Sequence, residues 1–164
     1  MATKSTYPSW GYMIENGATT IWELWNGNTA HPKMNSQNHV MMLGDLLVWY
    51  YENLAGIKTG NNAFETISMN PSFVSGLTHV EASYQSLRGE ISSHWTMQKR
   101  EMLWKIHIPA NSKARVFIPA SAPAAITEGG RKLEKIEGVR YVETRKDKVL
   151  LEVGSGDYEF RIKR

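Results

Sequence analysis

The hydrophobic pattern changes period once, near Ala63, and that change divides the chain into a helical piece followed by a β piece. Before it, Val40, Leu43, Leu47, Tyr50 and Leu54 recur at helical spacing, with Asn35 or Ser36 available as N-cap and Gly56 as the stop. This spacing predicts a helix from about Ser36 to Leu54. Met41, Met42, Leu46, Val48 and Trp49 fill its other faces, and a helix apolar nearly all round is expected to be buried between neighbours. The chain offers one shorter helical candidate, Ala18 to Trp25, so further helices are expected from upstream structure.

After the change, apolar residues alternate with polar ones. The runs are Ile91-Ser93-Trp95-Met97, Met102-Trp104-Ile106-Ile108, Ala114-Val116-Ile118, Val149-Leu151-Val153 and Tyr158-Phe160-Ile162. Turn signals separate them at Pro109 to Ser112, Gly129-Gly130, Arg145 to Lys148 and Gly154-Ser155-Gly156. Many short strands at this spacing predict an antiparallel β-sandwich of jelly-roll type. The expected organisation is α+β: helices over 1–57, a linker over 58–74, and the sandwich over 75–164.

A chain of 164 residues with 41% hydrophobic content can bury a core without staples, and it holds no cysteine. Thiolate catalysis and cysteine-ligated zinc are thereby excluded. His79-Val80-Glu81 has the spacing that opens a zinc deaminase motif, but that motif requires two cysteines. The other histidines show no metal-ligand spacing, so neither a metal nor a cofactor is expected. Residues 1–70 carry three basic and five acidic side chains, while 71–164 carry sixteen and eleven. Acids interleave with the basic pairs Lys99-Arg100, Arg131-Lys132 and Arg145-Lys146, which argues against a nucleic-acid partner. No apolar run approaches the roughly 20 residues a membrane span needs. The chain reads as soluble and without a membrane partner, in the cytoplasm or exported within a longer parent.

Two segments of the helical third are dense in chemistry-bearing residues. One runs from Tyr7 through Trp10 and Glu15 to Gly17-Ala18-Thr19-Thr20-Ile21-Trp22-Glu23-Leu24-Trp25-Asn26-Gly27; the other is Met34-Asn35-Ser36-Gln37-Asn38-His39. A carboxylate between tryptophans suits a sugar site, because apolar sugar faces stack on indole while the carboxylate handles protons. The same pattern also fits core indoles beside a surface glutamate.

These two segments, with Asn53-Leu54-Ala55-Gly56-Ile57, closely resemble the C-terminal portion of bacterial α-L-rhamnosidases, glycoside hydrolase family 78. The resemblance continues through Val80 to Tyr84, Gly89-Glu90-Ile91, Trp104, Ile108 to Asn111 and Gly154-Ser155-Gly156. It implies the last helices of an (α/α)6 barrel up to about residue 57, followed by a C-terminal β-sandwich. It also implies Glu23 as general base of an inverting hydrolysis and His39 as a residue lining the sugar pocket. Trp22, Trp25, Asn35 and Asn38 lie beside those positions as candidate substrate contacts, and the implied ligand is a rhamnose-containing glycoside.

An inverting glycosidase needs a second carboxyl group roughly 6.5–9.5 Å from the first. In this family that general acid comes from a stretch well upstream, outside these residues. Glu15 is a poor substitute, because eight helical residues would separate the backbones by ~12 Å. The chain is therefore expected to be a fragment holding half of a catalytic pair, inactive alone. Its partners would be the upstream part of the barrel or, through an exposed helical face, a second copy. The alternative is a non-catalytic carbohydrate-binding or structural sandwich module.

Overall fold

Ser9 opens the first helix, α1 (Trp10–Glu15), accepting from the Tyr12 N–H at 3.0 Å and donating to the Lys4 carbonyl at 2.6 Å. The computed structural model describes residues 4–163, in two compact units, Met1–Val48 and Trp49–Arg164.

In the first unit, the helix expected over Ala18 to Trp25 is absent; the segment is a series of bends and turns. Its polar groups are used sideways. Glu23 N–H donates to the Ser36 carbonyl, Leu24 N–H to Asn35 Oδ1, and the Ile21 carbonyl accepts from His39 N–H. Those bonds replace the i to i−4 ladder of a helix. They also occupy residues 35–39, so the long helix starts later than its apolar spacing suggests. It is α2 (Met42–Trp49), and none of its residues is buried. The expected burial on all sides is not met within this chain: Val40, Met41, Leu47 and Val48 stand more than two-fifths exposed.

In the second unit, the helical path widens into a π-helical segment, Tyr50–Ala55, that ends where Gly56 turns left-handed at φ 77°. A Cβ at Gly56 would lie 2.2 Å from the Pro71 nitrogen and 2.6 Å from the Asn70 carbonyl carbon, both backbone atoms. Gly56→Ala therefore adds a clash to the roughly 1–2 kcal/mol of left-handed strain. Its urea midpoint is expected to fall by more than strain alone accounts for, and an unchanged midpoint would contradict this geometry.

Two sheets follow. One has the order β1 (Ile57–Asn61), β2 (Thr66–Met69), β6 (Lys113–Ile118), β10 (Lys148–Val153), β9 (Val139–Arg145). The other runs β3 (His79–Ser86), β4 (Gly89–Met97), β5 (Glu101–Ile108), β11 (Gly156–Lys163), β7 (Ile126–Glu128), β8 (Arg131–Lys132). The alternating runs read from sequence are β4, β5, β6, β10 and β11. Two expectations are corrected. Much of the linker placed at 58–74 is sheet, because Ile57, Ile67 and Met69 bury in the common core while strands this short show little period. The sandwich is not wholly antiparallel, since β2 runs parallel to β6.

The core holds Trp95, Trp104 and Phe160 fully buried with Ile91, Ile118 and Leu151. One polar network crosses it. Trp104 Nε1 donates to Ser93 Oγ at 3.0 Å, Ser93 Oγ donates to the Ala55 carbonyl at 2.7 Å, and Trp95 Nε1 donates to the Leu54 carbonyl at 2.8 Å. The π-helical end thus satisfies its last carbonyls inside the sandwich. No helix among the described residues is long and apolar enough to cross a membrane.

Candidate active site

The paired segments of the first unit place Glu23 at their centre. Its own N–H donates to Ser36 O at 2.9 Å, and Ser36 N–H returns to Glu23 Oε2 at 3.0 Å. A charged acceptor on a backbone donor makes a strong bond, so this reciprocal pair fixes the carboxylate against the 35–39 segment. His39 Nδ1 lies 4.0 Å from the same Oε2, an electrostatic contact too long for a hydrogen bond. Oε1 has no hydrogen-bond partner among the described residues, and the side chain is 43% exposed.

The turn after Glu23 is braced from two sides. Asn35 Nδ2 and Gln37 Nε2 both donate to the Gly27 carbonyl, at 3.4 and 3.2 Å. Trp22 is buried against Gly27, where a Cβ would stand 2.7 Å from the indole. Thr20 Oγ1 donates to the Gln37 carbonyl at the far end. Trp25 is half-buried and meets Trp10 with ring centroids 6.1 Å apart, tilted by 50°. Asn38 is exposed, its N–H on Ser36 Oγ. Glu15 is exposed at the end of α1.

Glu23, His39, Asn35 and Asn38 are thus carried by two irregular segments, 18–25 and 35–39, joined by hydrogen bonds, with Trp25 two residues after Glu23. Trp22, by contrast, is buried and packed against Gly27. The backbone donor of Ser36, the brace from Gln37 and the partner ring Trp10 are contributions that composition and spacing do not single out. No group of three metal-ligating side chains occurs among the described residues.

Residues 1–54 match the model of the bacterial α-L-rhamnosidase six-hairpin glycosidase domain, and residues 56–133 that of the bacterial α-L-rhamnosidase C-terminal domain. The chain belongs to the bacterial α-L-rhamnosidase family. The α-L-rhamnosidase of Streptomyces avermitilis is 32% identical over 162 residues, 96% of this chain and 15% of its own length. The crystal structure of that species' α-L-rhamnosidase complexed with L-rhamnose matches over 98% of this chain and 15% of its own, with a TM-score of 0.84 and 31% identity. The α-L-rhamnosidase structure from Dictyoglumus thermophilum covers the whole chain and 18% of its own, with a TM-score of 0.85 and 32% identity. The chain therefore spans less than a fifth of the length of these rhamnosidases and corresponds to their C-terminal portion. The boundary between the two family models, at residues 54–56, coincides with the π-helical end and Gly56.

Proposed function

We propose that this chain supplies the general base and one wall of the sugar pocket of an inverting α-L-rhamnosidase, which hydrolyses terminal α-L-rhamnosyl linkages. The observation that supports this most is the unequal treatment of the two Glu23 oxygens. One is held by Ser36 N–H beside His39, and the other has no hydrogen-bond partner among the described residues. A base that must take a proton from water toward an anomeric carbon needs one oxygen fixed and one available.

In this reading His39 and Asn38 bond sugar hydroxyls and Trp25 offers an apolar ring face. Asn35 holds the turn, and Trp22 supports it from beneath. The general acid comes from another part of the enzyme, so the isolated chain binds but does not hydrolyse. The open face of α2, with Leu43, Leu47 and Val48, is the surface that the remaining helices of the six-hairpin domain cover.

The test is a titration with L-rhamnose followed through the NMR signals of the six indoles. Saturable shifts at Trp25, with hydrolysis absent, are the expected result. No shift at tens of millimolar, beyond the roughly millimolar range of weak binding, would overturn a preformed pocket wall.

A further inference from the structure

The outer face of the β1-β2-β6-β10-β9 sheet carries a concavity that the hydrolytic reading does not use. Strand register sets its layout: Lys58 stands opposite Ser68, Ser68 beside Arg115, Arg115 opposite Glu152, and Glu152 opposite Arg140. The neighbouring row places Thr66 beside Lys113. Most cations here have a partner. Lys58 pairs with Glu52 at 3.4 Å, Arg140 takes Glu152 at 3.1 Å, and Lys148 donates to Asn70 at 2.5 Å. Arg115 and Lys113 have no carboxylate partner among the described residues; Glu152, in register with Arg115, is paired with Arg140.

Arg115 instead lies 5.7 Å over the Phe117 ring, a cation–π contact that orients the guanidinium without neutralising it. Gly60, Thr66, Ser68, Arg115 and Phe117 line a hollow of about 260 Å³. The hollow sits where the β1-β2 register shifts between Thr59 and Asn61, and such irregularities re-aim side chains beside binding sites. Its volume falls just under the ~300–1,000 Å³ of drug-sized pockets and suits one sugar ring.

We propose that this hollow binds a sugar residue bearing an acidic group. A planar guanidinium with no carboxylate partner among the described residues matches a carboxylate or sulfate through paired N–H donors. The hydroxyls of Ser68 and Thr66 meet ring hydroxyls, Phe117 forms the apolar wall, and Lys113 adds attraction from the adjacent row. The site lies wholly within the second unit and stands or falls independently of Glu23.

The experiment is an NMR titration of the 164-residue chain with four probes: methyl β-D-glucuronide, glucose 6-sulfate, methyl β-D-glucoside and inorganic sulfate. Saturable shifts at Arg115 and Ser68 are expected with one or both acidic sugars, about tenfold tighter than with the neutral glucoside or with sulfate alone. Which acidic sugar binds more tightly identifies the acid. Arg115→Gln should lose about tenfold while its spectrum stays dispersed, and Ser68→Ala gives a second reading if Arg115→Gln does not fold. Equal binding of the glucoside, equal binding of inorganic sulfate, absence of shifts with both acidic sugars, or unchanged affinity in both variants would each overturn the proposal.

Discussion

Glu23→Gln, in a full-length rhamnosidase that carries this segment, is expected to lower kcat by about 10²–10⁴-fold, with KM changing little. The substitution preserves shape. The amide carbonyl of glutamine still accepts from Ser36 N–H, so the reciprocal bond between positions 23 and 36 survives and the loop stays in place. What is lost is an oxygen that can take a proton. A loss confined to kcat would mark a group used in the transition state rather than in holding substrate. A variant with a native rate would remove Glu23 from catalysis and leave its bond to Ser36 as a purely structural feature.

Trp104→Ala is the second large effect, and it acts on stability. The indole is fully buried, and removing such a side chain costs about 3–5 kcal/mol through lost burial and the cavity left behind. Here the loss extends further, because Trp104 Nε1 is the donor to Ser93 Oγ, which in turn donates to the Ala55 carbonyl. Deleting the indole leaves a buried hydroxyl with an unmet acceptor, a further cost of about 1 kcal/mol. Against a typical margin of about 5–15 kcal/mol, the variant should sit close to unfolding. Urea denaturation followed by far-ultraviolet circular dichroism measures this directly. A change below about 2 kcal/mol would mean that the core repacks around the gap and that the network is dispensable.

The strands that were legible in the sequence are those with one face fully inside. Ile91, Trp95, Met102, Trp104, Val116, Leu151 and Phe160 alternate because their neighbours face away from the core. Strands β3 and β9 were not legible for the opposite reason. They lie at sheet edges and bury little, β3 only part-burying Val80 and Ala82, so the two-residue period is weak over His79 to Ser86 and Val139 to Arg145. The helix expected at Ala18 to Trp25 failed on tertiary pairing. Its apolar residues are compatible with a helix, but Ser36 and Asn35 compete for the N–H groups of Glu23 and Leu24.

In the candidate site, Glu23 and His39 stood out through resemblance, and the structure brings them within 4.0 Å. Nothing in the composition distinguishes Trp22, buried under the loop, from Trp25, half-exposed beside it. Their partners differ: Trp22 packs against Gly27 and Trp25 against Trp10. The hollow at Arg115 was hidden because β6 lies far along the chain from β1 and β2, and only the register makes them neighbours.

The parallel pairing of β2 with β6 also sets a timetable. Between the two strands lies the entire β3-β4-β5 meander, which belongs to the other sheet and closes through local hairpin contacts. The meander can form early, whereas β2 must wait, edge unpaired, until the chain has brought β6 back across it. Because long closures carry their entropy loss before their contacts form, a domain wired this way folds on the scale of ~milliseconds to seconds rather than microseconds. During that interval the short strand Thr66–Met69 exposes Ile67 and Met69, residues that end fully buried. The kinetic hazard of this domain is therefore concentrated in four residues, where a mispaired neighbour can take the place reserved for β6.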